Sequence, residues 1–196
     1  MRIIRGEFVG KALIAPSSTL TRPTSDKVRQ AIFNVIEHHV NMQDLRDATV
    51  LDVFAGTGAL GLEALSRGAK HITFVDNQRA AVRNLQTLIH QWNIEDRTTV
   101  FAQDILTMPV AAQPVDFIFC DPPYGKDLVN LAIAHLHKQG WIGVETTVIA
   151  EMQKQDALQL ELPLNILQEK KYGDTKVVFF KATCRWQRAV ASDRLN

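Results

Sequence analysis

The chain has 196 residues, 46% of them hydrophobic, and a formal net charge of +1, which allows one sizeable core and no second full domain. No apolar run approaches the roughly 18 residues of a spanning helix, and Arg2 and Arg5 interrupt the opening stretch too soon for a secretory signal, so a cytoplasmic protein with no membrane partner is expected. Cys120 and Cys184 form no Cys-x-x-Cys pair and the six histidines show no metal-site spacing, so neither metal nor disulfide is expected; His135 and His137, the nearest thing to a ligand pair, read as solvated helix residues.

Residues 2–15 read as two short strands punctuated by glycine, a hairpin, followed by loop at 16–19. Thr24 can cap a helix whose apolar positions Val28, Ile32, Val35 and Ile36 recur at helical spacing through about Val40. From residue 49 strands and helices alternate: strand 49–54, helix 58–67, strand 71–76, helix 78–92, strands 98–102 and 115–120, helix 128–138, strand 146–151. Near-continuous apolar strands predict an α/β fold, a mostly parallel, doubly wound sheet covered on both faces. Residues 166–172 and 176–181 flank Gly173-Asp174-Thr175 as an antiparallel hairpin, which brings the sheet to seven strands. The expected division is an N-terminal hairpin-plus-helix extension over 1–40, the main domain over 41–182, and a tail over 183–196.

Charge is uneven along this plan. Residues 1–30 carry six Lys/Arg against two Asp/Glu, 165–196 carry seven against three, and 31–164 hold nine against sixteen. An acidic body with basic margins suits a catalytic centre held against a polyanion, although lysines that only solubilise the ends would give the same counts.

After the first parallel strand, 52-DVFAGTGALG-61 places Gly56, Gly58 and Gly61 in a Gly-x-Gly-x-x-Gly turn. The pattern alone admits a dinucleotide, S-adenosylmethionine, or a turn that only packs a helix. Asp52 separates the first two, since a carboxylate there repels a pyrophosphate and attracts an ammonium or sulfonium. Asp76 ends the second strand, 18 residues beyond Gly58, where it can accept from ribose hydroxyls, with Asn77 beside it. Asp104 follows the third strand and can take an adenine amino group, with Ile105 and Leu106 against the ring. Phe54, Ala55 and Thr57 complete the loop. Asp121 ends the fourth strand, and four strand-ending acids are hard to dismiss as turn formers when those ends line the ligand crevice of a doubly wound sheet.

The string 121-DPPY-124 therefore lies beside the expected cofactor. Here the sequence resembles the S-adenosylmethionine-dependent amino-group methyltransferases, over residues 49–152. An exocyclic amine is a poor nucleophile because its lone pair is delocalised. Accepting its N–H groups on Asp121 and the Pro122 carbonyl would turn that lone pair toward the methyl group. Pro122 and Pro123 fix the backbone and add no donor, and Tyr124 offers a stacking face for the base, worth about 1–3 kcal/mol.

The run 22-RPTSDKVRQAIFNVI-36, the opening Arg2 to Lys11 and 170-KKYGDTKVVFF-180 are similar to the RsmD-type 16S ribosomal RNA guanine-N2 methyltransferases, which extends the resemblance over nearly the whole chain. It implies a Rossmann-like class I fold and methyl transfer to the 2-amino group of one guanine near the P site of small-subunit RNA, on protein-bound RNA in the subunit or an assembly intermediate, with S-adenosylhomocysteine as product; a monomer is expected. Arg5, Lys11, Arg22, Lys27 and Arg29 are the candidate RNA contacts. Adenine-N6 methylation of DNA would use the same four residues, but the 21 residues between Tyr124 and Thr146 leave no room for a target-recognition insert. A protein-glutamine methyltransferase would sooner carry Asn at 121. A noncatalytic RNA-binding or nicotinamide-binding protein is the alternative outside enzymes.

Overall fold

The computed structural model describes residues 1–14, 26–39, 42, 44–123, 127–161 and 163–183. Seven strands, β1 (Thr49–Val53), β2 (His71–Val75), β3 (Thr98–Phe101), β4 (Phe117–Cys120), β5 (Thr147–Gln153), β6 (Leu164–Tyr172) and β7 (Thr175–Ala182), form one sheet in the order β3-β2-β1-β4-β5-β7-β6. The first five are parallel, and β7 runs antiparallel between β5 and β6. This is the expected α/β sheet with its closing hairpin. Its turn is two residues rather than three, because Thr175 already pairs with Tyr172.

Four helices cover the sheet: α1 (Asp26–His38), α2 (Ala59–Ser66), α3 (Arg79–Trp92) and α4 (Leu128–Lys138). Alternate strand residues feed two cores. Val50, Phe74, Phe119 and Phe179 pack with α1, α2 and α3, whereas Leu51, Val53, Ile118 and Phe180 pack with α4. Burial on both faces is why the strands read as apolar runs. Every residue of α2 is buried, and its two polar side chains, Glu63 and Ser66, face the N-terminal segment that bonds to them. Thr24, expected to cap the first helix, lies outside the described residues, as do residues 184–196 of the tail.

Residues 1–13 do form a hairpin, but its strands are reduced to one antiparallel bridge, Arg2 with Ala12. The N–H groups that would extend a ladder go to α2 instead. Ile4 N and Arg5 N donate to the two carboxylate oxygens of Glu63 at 2.8 and 3.1 Å, Glu7 N to Ser66 O at 2.8 Å, and Phe8 N to Ser66 Oγ at 2.9 Å. Gly6, at φ +90°, permits this approach, since a Cβ there would lie 1.8 Å from Ser66 O. Ile3, Phe8 and Leu13 thereby join the core under α1, α2 and α3.

Of the two histidines of α4, His135 is half-buried and His137 is not solvated. His135 Nε2 lies 3.1 Å from Met108 O, and His137 is buried. The reason is that the last turn of α4 lies under the segment after β3, where Trp141 Nε1 also donates to Pro109 O. Among the described residues no group of three His, Cys, Asp or Glu could hold a metal ion, and no helix is long and apolar enough to cross a membrane.

Candidate active site

Sheet order reverses between β1 and β4, the place where a doubly wound sheet opens a crevice at the carboxyl ends of its strands. Register puts Val53, Val75, Cys120 and Ala150 abreast. The next residue of each strand is Phe54, Asp76, Asp121 and Glu151, so three acids and the start of the glycine loop share one edge. Phe54 leaves β1 with φ 61°, a conformation unusual for a side chain of its size, and this bend ends the strand one residue earlier than the sequence pattern implied.

Two acids are built into the loop. Asp76, mostly buried, accepts from Gly56 N and Gln78 N, both at 2.7 Å, one on each oxygen. Each oxygen keeps a lone pair for a ligand hydroxyl. Asp52 accepts from Gly61 N at 2.8 Å, and burial raises its pKa well above the usual carboxylate range. Gly61 N–H opposes that rise, while the Asp121 and Asp76 carboxylates add to it. Burial likewise raises the Cys120 pKa, so Cys120 is an inert thiol beside the crevice.

The three glycines have different reasons. Gly58 is demanded by its φ of +73°, whereas an added Cβ at Gly61 would meet Phe74 Cε1 at 2.4 Å and Asp52 Oδ2 at 2.9 Å, so Gly61 is demanded by packing. At Gly56, itself at φ +55°, the nearest atom among the described residues would be Phe54 O at 3.8 Å, which leaves space for a ligand beside them. Gly61→Ala should push α2 off β2 and cost about 1–3 kcal/mol. Urea unfolding measures it, and a parent-like midpoint would show that the helix can shift freely.

Asp104 caps the 3-10 turn Ile105–Thr107 by accepting from Leu106 N at 2.9 Å. Ile105 points into the core, which leaves Leu106, 42% exposed, as the apolar surface of that pair. Pro122 is buried and Pro123 exposed, while Tyr124 lies outside the described residues. Glu151, 7% exposed and level with Asp121, was missed in the sequence; an acid near the end of a fifth strand was the available signal.

The candidate RNA contacts divide. Lys27 is exposed, and Lys11 is exposed with Nζ 4.9 and 5.0 Å above the Phe8 and Trp92 rings. Arg5 faces solvent but pairs with Glu37 at 3.0 Å. Arg22 lies outside the described residues. Arg29 cannot reach a phosphate, because its side chain is 0% exposed, donates to Arg2 O and Asp26, and lies 3.9 Å from Glu63. Burial lowers its pKa against the pull of Asp26 and Glu63.

A glycine loop after β1, acids ending β2 and β4, and five parallel strands closed by an antiparallel hairpin define the class I S-adenosylmethionine-dependent methyltransferase fold. The chain superposes on the solved structure described as "Putative methyltransferase yhhF from Escherichia coli" with a TM-score of 0.83 and 28% identity, covering 94% of this chain and 99% of that one. The family model described as "Conserved hypothetical protein 95" matches residues 1–181, and the chain belongs to that family, the RsmD family. It is 34% identical over 162 residues to "Ribosomal RNA small subunit methyltransferase D" of Escherichia coli K12, covering 81% of this chain and 77% of that protein. To the Haemophilus influenzae protein of the same name it is 32% identical over 177 residues, covering 88% and 89%.

Proposed function

We propose that the protein methylates the exocyclic 2-amino group of one guanine in small-subunit ribosomal RNA, in the cytoplasm, with S-adenosylmethionine as donor. The observation that carries this reading is the convergence of Asp52, Asp76 and Asp121 on the glycine loop, with two prolines directly after Asp121. The names of the relatives support the RNA substrate.

The residues present fit the cofactor. Burial, with the Asp121 and Asp76 carboxylates nearby, raises the cost of ionising Asp52, which a cationic ligand relieves. Asp76 would hold the ribose, Gly56 and its neighbours the adjoining backbone, and Leu106 the adenine. When bound, S-adenosylmethionine supplies an electrophilic methyl group. Asp121 and the Pro122 carbonyl accept the two N–H groups of the target amine and direct its lone pair across the crevice. The Asp121 carboxylate is also the base positioned to receive the proton the amine must lose. Pro122 and Pro123 add no N–H that would compete for either acceptor.

Incubation with labelled S-adenosylmethionine and small-subunit RNA, free and in assembled subunits, followed by nucleoside mass spectrometry, tests the reading. N2-methylguanosine is the expected product. N6-methyladenosine, or no transfer to any RNA, would overturn it. Asp76→Ala should weaken cofactor binding roughly ten- to hundredfold, since a hydrogen bond to a charged group is worth about 1.5–3 kcal/mol. Calorimetric titration checks this, and unchanged affinity would remove Asp76 from the ribose.

A further inference from the structure

Among the described residues most arginines are paired with acids, whereas exposed lysines such as Lys27, Lys70 and Lys138 are not. Arg5 pairs with Glu37, Arg46 with Asp44, Arg97 with Glu7, and Arg67 with both Glu37 and Glu63. α3 is different. It contains no Asp or Glu, and Arg79 and Arg83, one turn apart, are exposed. Among the described residues neither guanidinium makes an ion pair or a hydrogen bond.

The position of this helix connects it to the crevice. Arg79 follows Gln78, whose N–H is held by Asp76 Oδ1 at 2.7 Å, so the first turn of α3 stands at the crevice rim. The other end of α3 meets the N-terminal hairpin, where the Trp92 and Phe8 rings are 5.3 Å apart and Lys11 Nζ sits over both. From Arg79 to Trp92 the helix spans roughly 20 Å, and the cations along that line without an acid partner among the described residues are Arg79, Arg83 and Lys11, while Arg97 over the Phe8 ring pairs with Glu7.

On the reading that RNA is the substrate, we infer that the Arg79–Arg83 face of α3 is a phosphate-binding track that carries the RNA strand from the crevice toward the hairpin. Its other exposed residues are Ala80, Gln86, Thr87, His90 and Gln91, so it offers no large apolar anchor of the kind a protein interface needs at its centre. Phosphates need only cations and polar donors, and a guanidinium presents its donors in a fork that matches phosphate oxygens. The buried Arg29 and the paired Arg5 leave the hairpin with less free charge than its sequence implies, and α3 supplies what they do not.

The full-length Arg79→Gln/Arg83→Gln variant tests this by RNA binding across a salt series with small-subunit ribosomal RNA as probe. Two lost phosphate contacts should make the log–log salt slope shallower by about 1.4–1.8 units. KM for RNA should rise, with kcat and S-adenosylmethionine affinity unchanged. Arg79→Lys/Arg83→Lys should keep the parent slope. So should Lys70→Gln/Lys138→Gln, whose exposed lysines lie before β2 and at the end of α4, at the far edge of the sheet. A parent-like slope in the Gln pair, or an equal loss in the lysine control, overturns the track while RNA methylation stands. Failure of the parent protein to bind RNA overturns the functional reading itself.

Discussion

Asp121→Ala should lower turnover about 10²–10³-fold, the effect of removing one preorganised group that acts on charge in a transition state. Cofactor affinity should stay within about tenfold of the parent, or 1.4 kcal/mol. The division follows from placement: Asp121 begins the segment after β4, while Gly56, Asp76 and Gln78 are joined to one another by hydrogen bonds that do not involve it. Its carboxylate still acts electrostatically on Asp52 and Cys120, raising the pKa of both. Its removal should therefore lower the Asp52 pKa, while burial, the larger cause, still holds it above the ordinary carboxylate range. Single-turnover methylation and calorimetry on one preparation separate the two effects. A parallel loss of cofactor binding larger than tenfold would place Asp121 in the cofactor site instead of at the amine.

The sheet and its crevice were legible because parallel strands buried on both faces read as apolar runs, and the acids that end them stand out. What the pattern hid were charges on buried faces. Arg29 shares its helical stripe with Phe33 and Ile36, four and seven residues on, and all three are buried in α1. Counted as one more basic residue in a basic segment, it looked like a phosphate contact. Its partner Glu63 is the one acid in the mostly apolar α2, a signal that becomes readable only once that helix is known to be enclosed. His137 follows the same rule, four residues after the buried Ile133. The hairpin differed for another reason: its turn sequence was clear, but hydrogen bonds from its backbone to Glu63 and Ser66 cannot be read from period-two alternation.

Glu63→Ala should cost about 3–5 kcal/mol, the range for removing one partner from a buried ion pair. The carboxylate is fully buried and serves four groups at once: Ile4 N, Arg5 N, Arg67 Nε at 2.8 Å and Arg29 Nε at 3.9 Å. Among the described residues Arg29 Nε and Nη1 have no hydrogen-bond partner even in the parent, so losing Glu63 leaves a buried cation with Asp26 as its one acidic contact there. For a chain of this size the loss corresponds to a melting temperature lower by about 6–20 °C. Glu37→Ala, which removes the more exposed carboxylate that pairs with Arg5 and Arg67, should cost no more than about 1 kcal/mol. Arg29→Met on top of Glu63→Ala should recover part of the loss by taking away the stranded charge. Hydrogen exchange locates the effect, because the Ile4 and Arg5 amides should lose protection while those of β1 and β4 keep theirs. If the Glu63 and Glu37 variants melt together, the hairpin is held by Ile3, Phe8 and the Ser66 bonds alone, and Glu63 is not its anchor. Met1 Sδ lies 3.8 Å from Thr57 Oγ1 of the glycine loop, so a hairpin released from Glu63 should also disturb the crevice. That disturbance would appear as weaker S-adenosylmethionine binding in Glu63→Ala and not in Glu37→Ala.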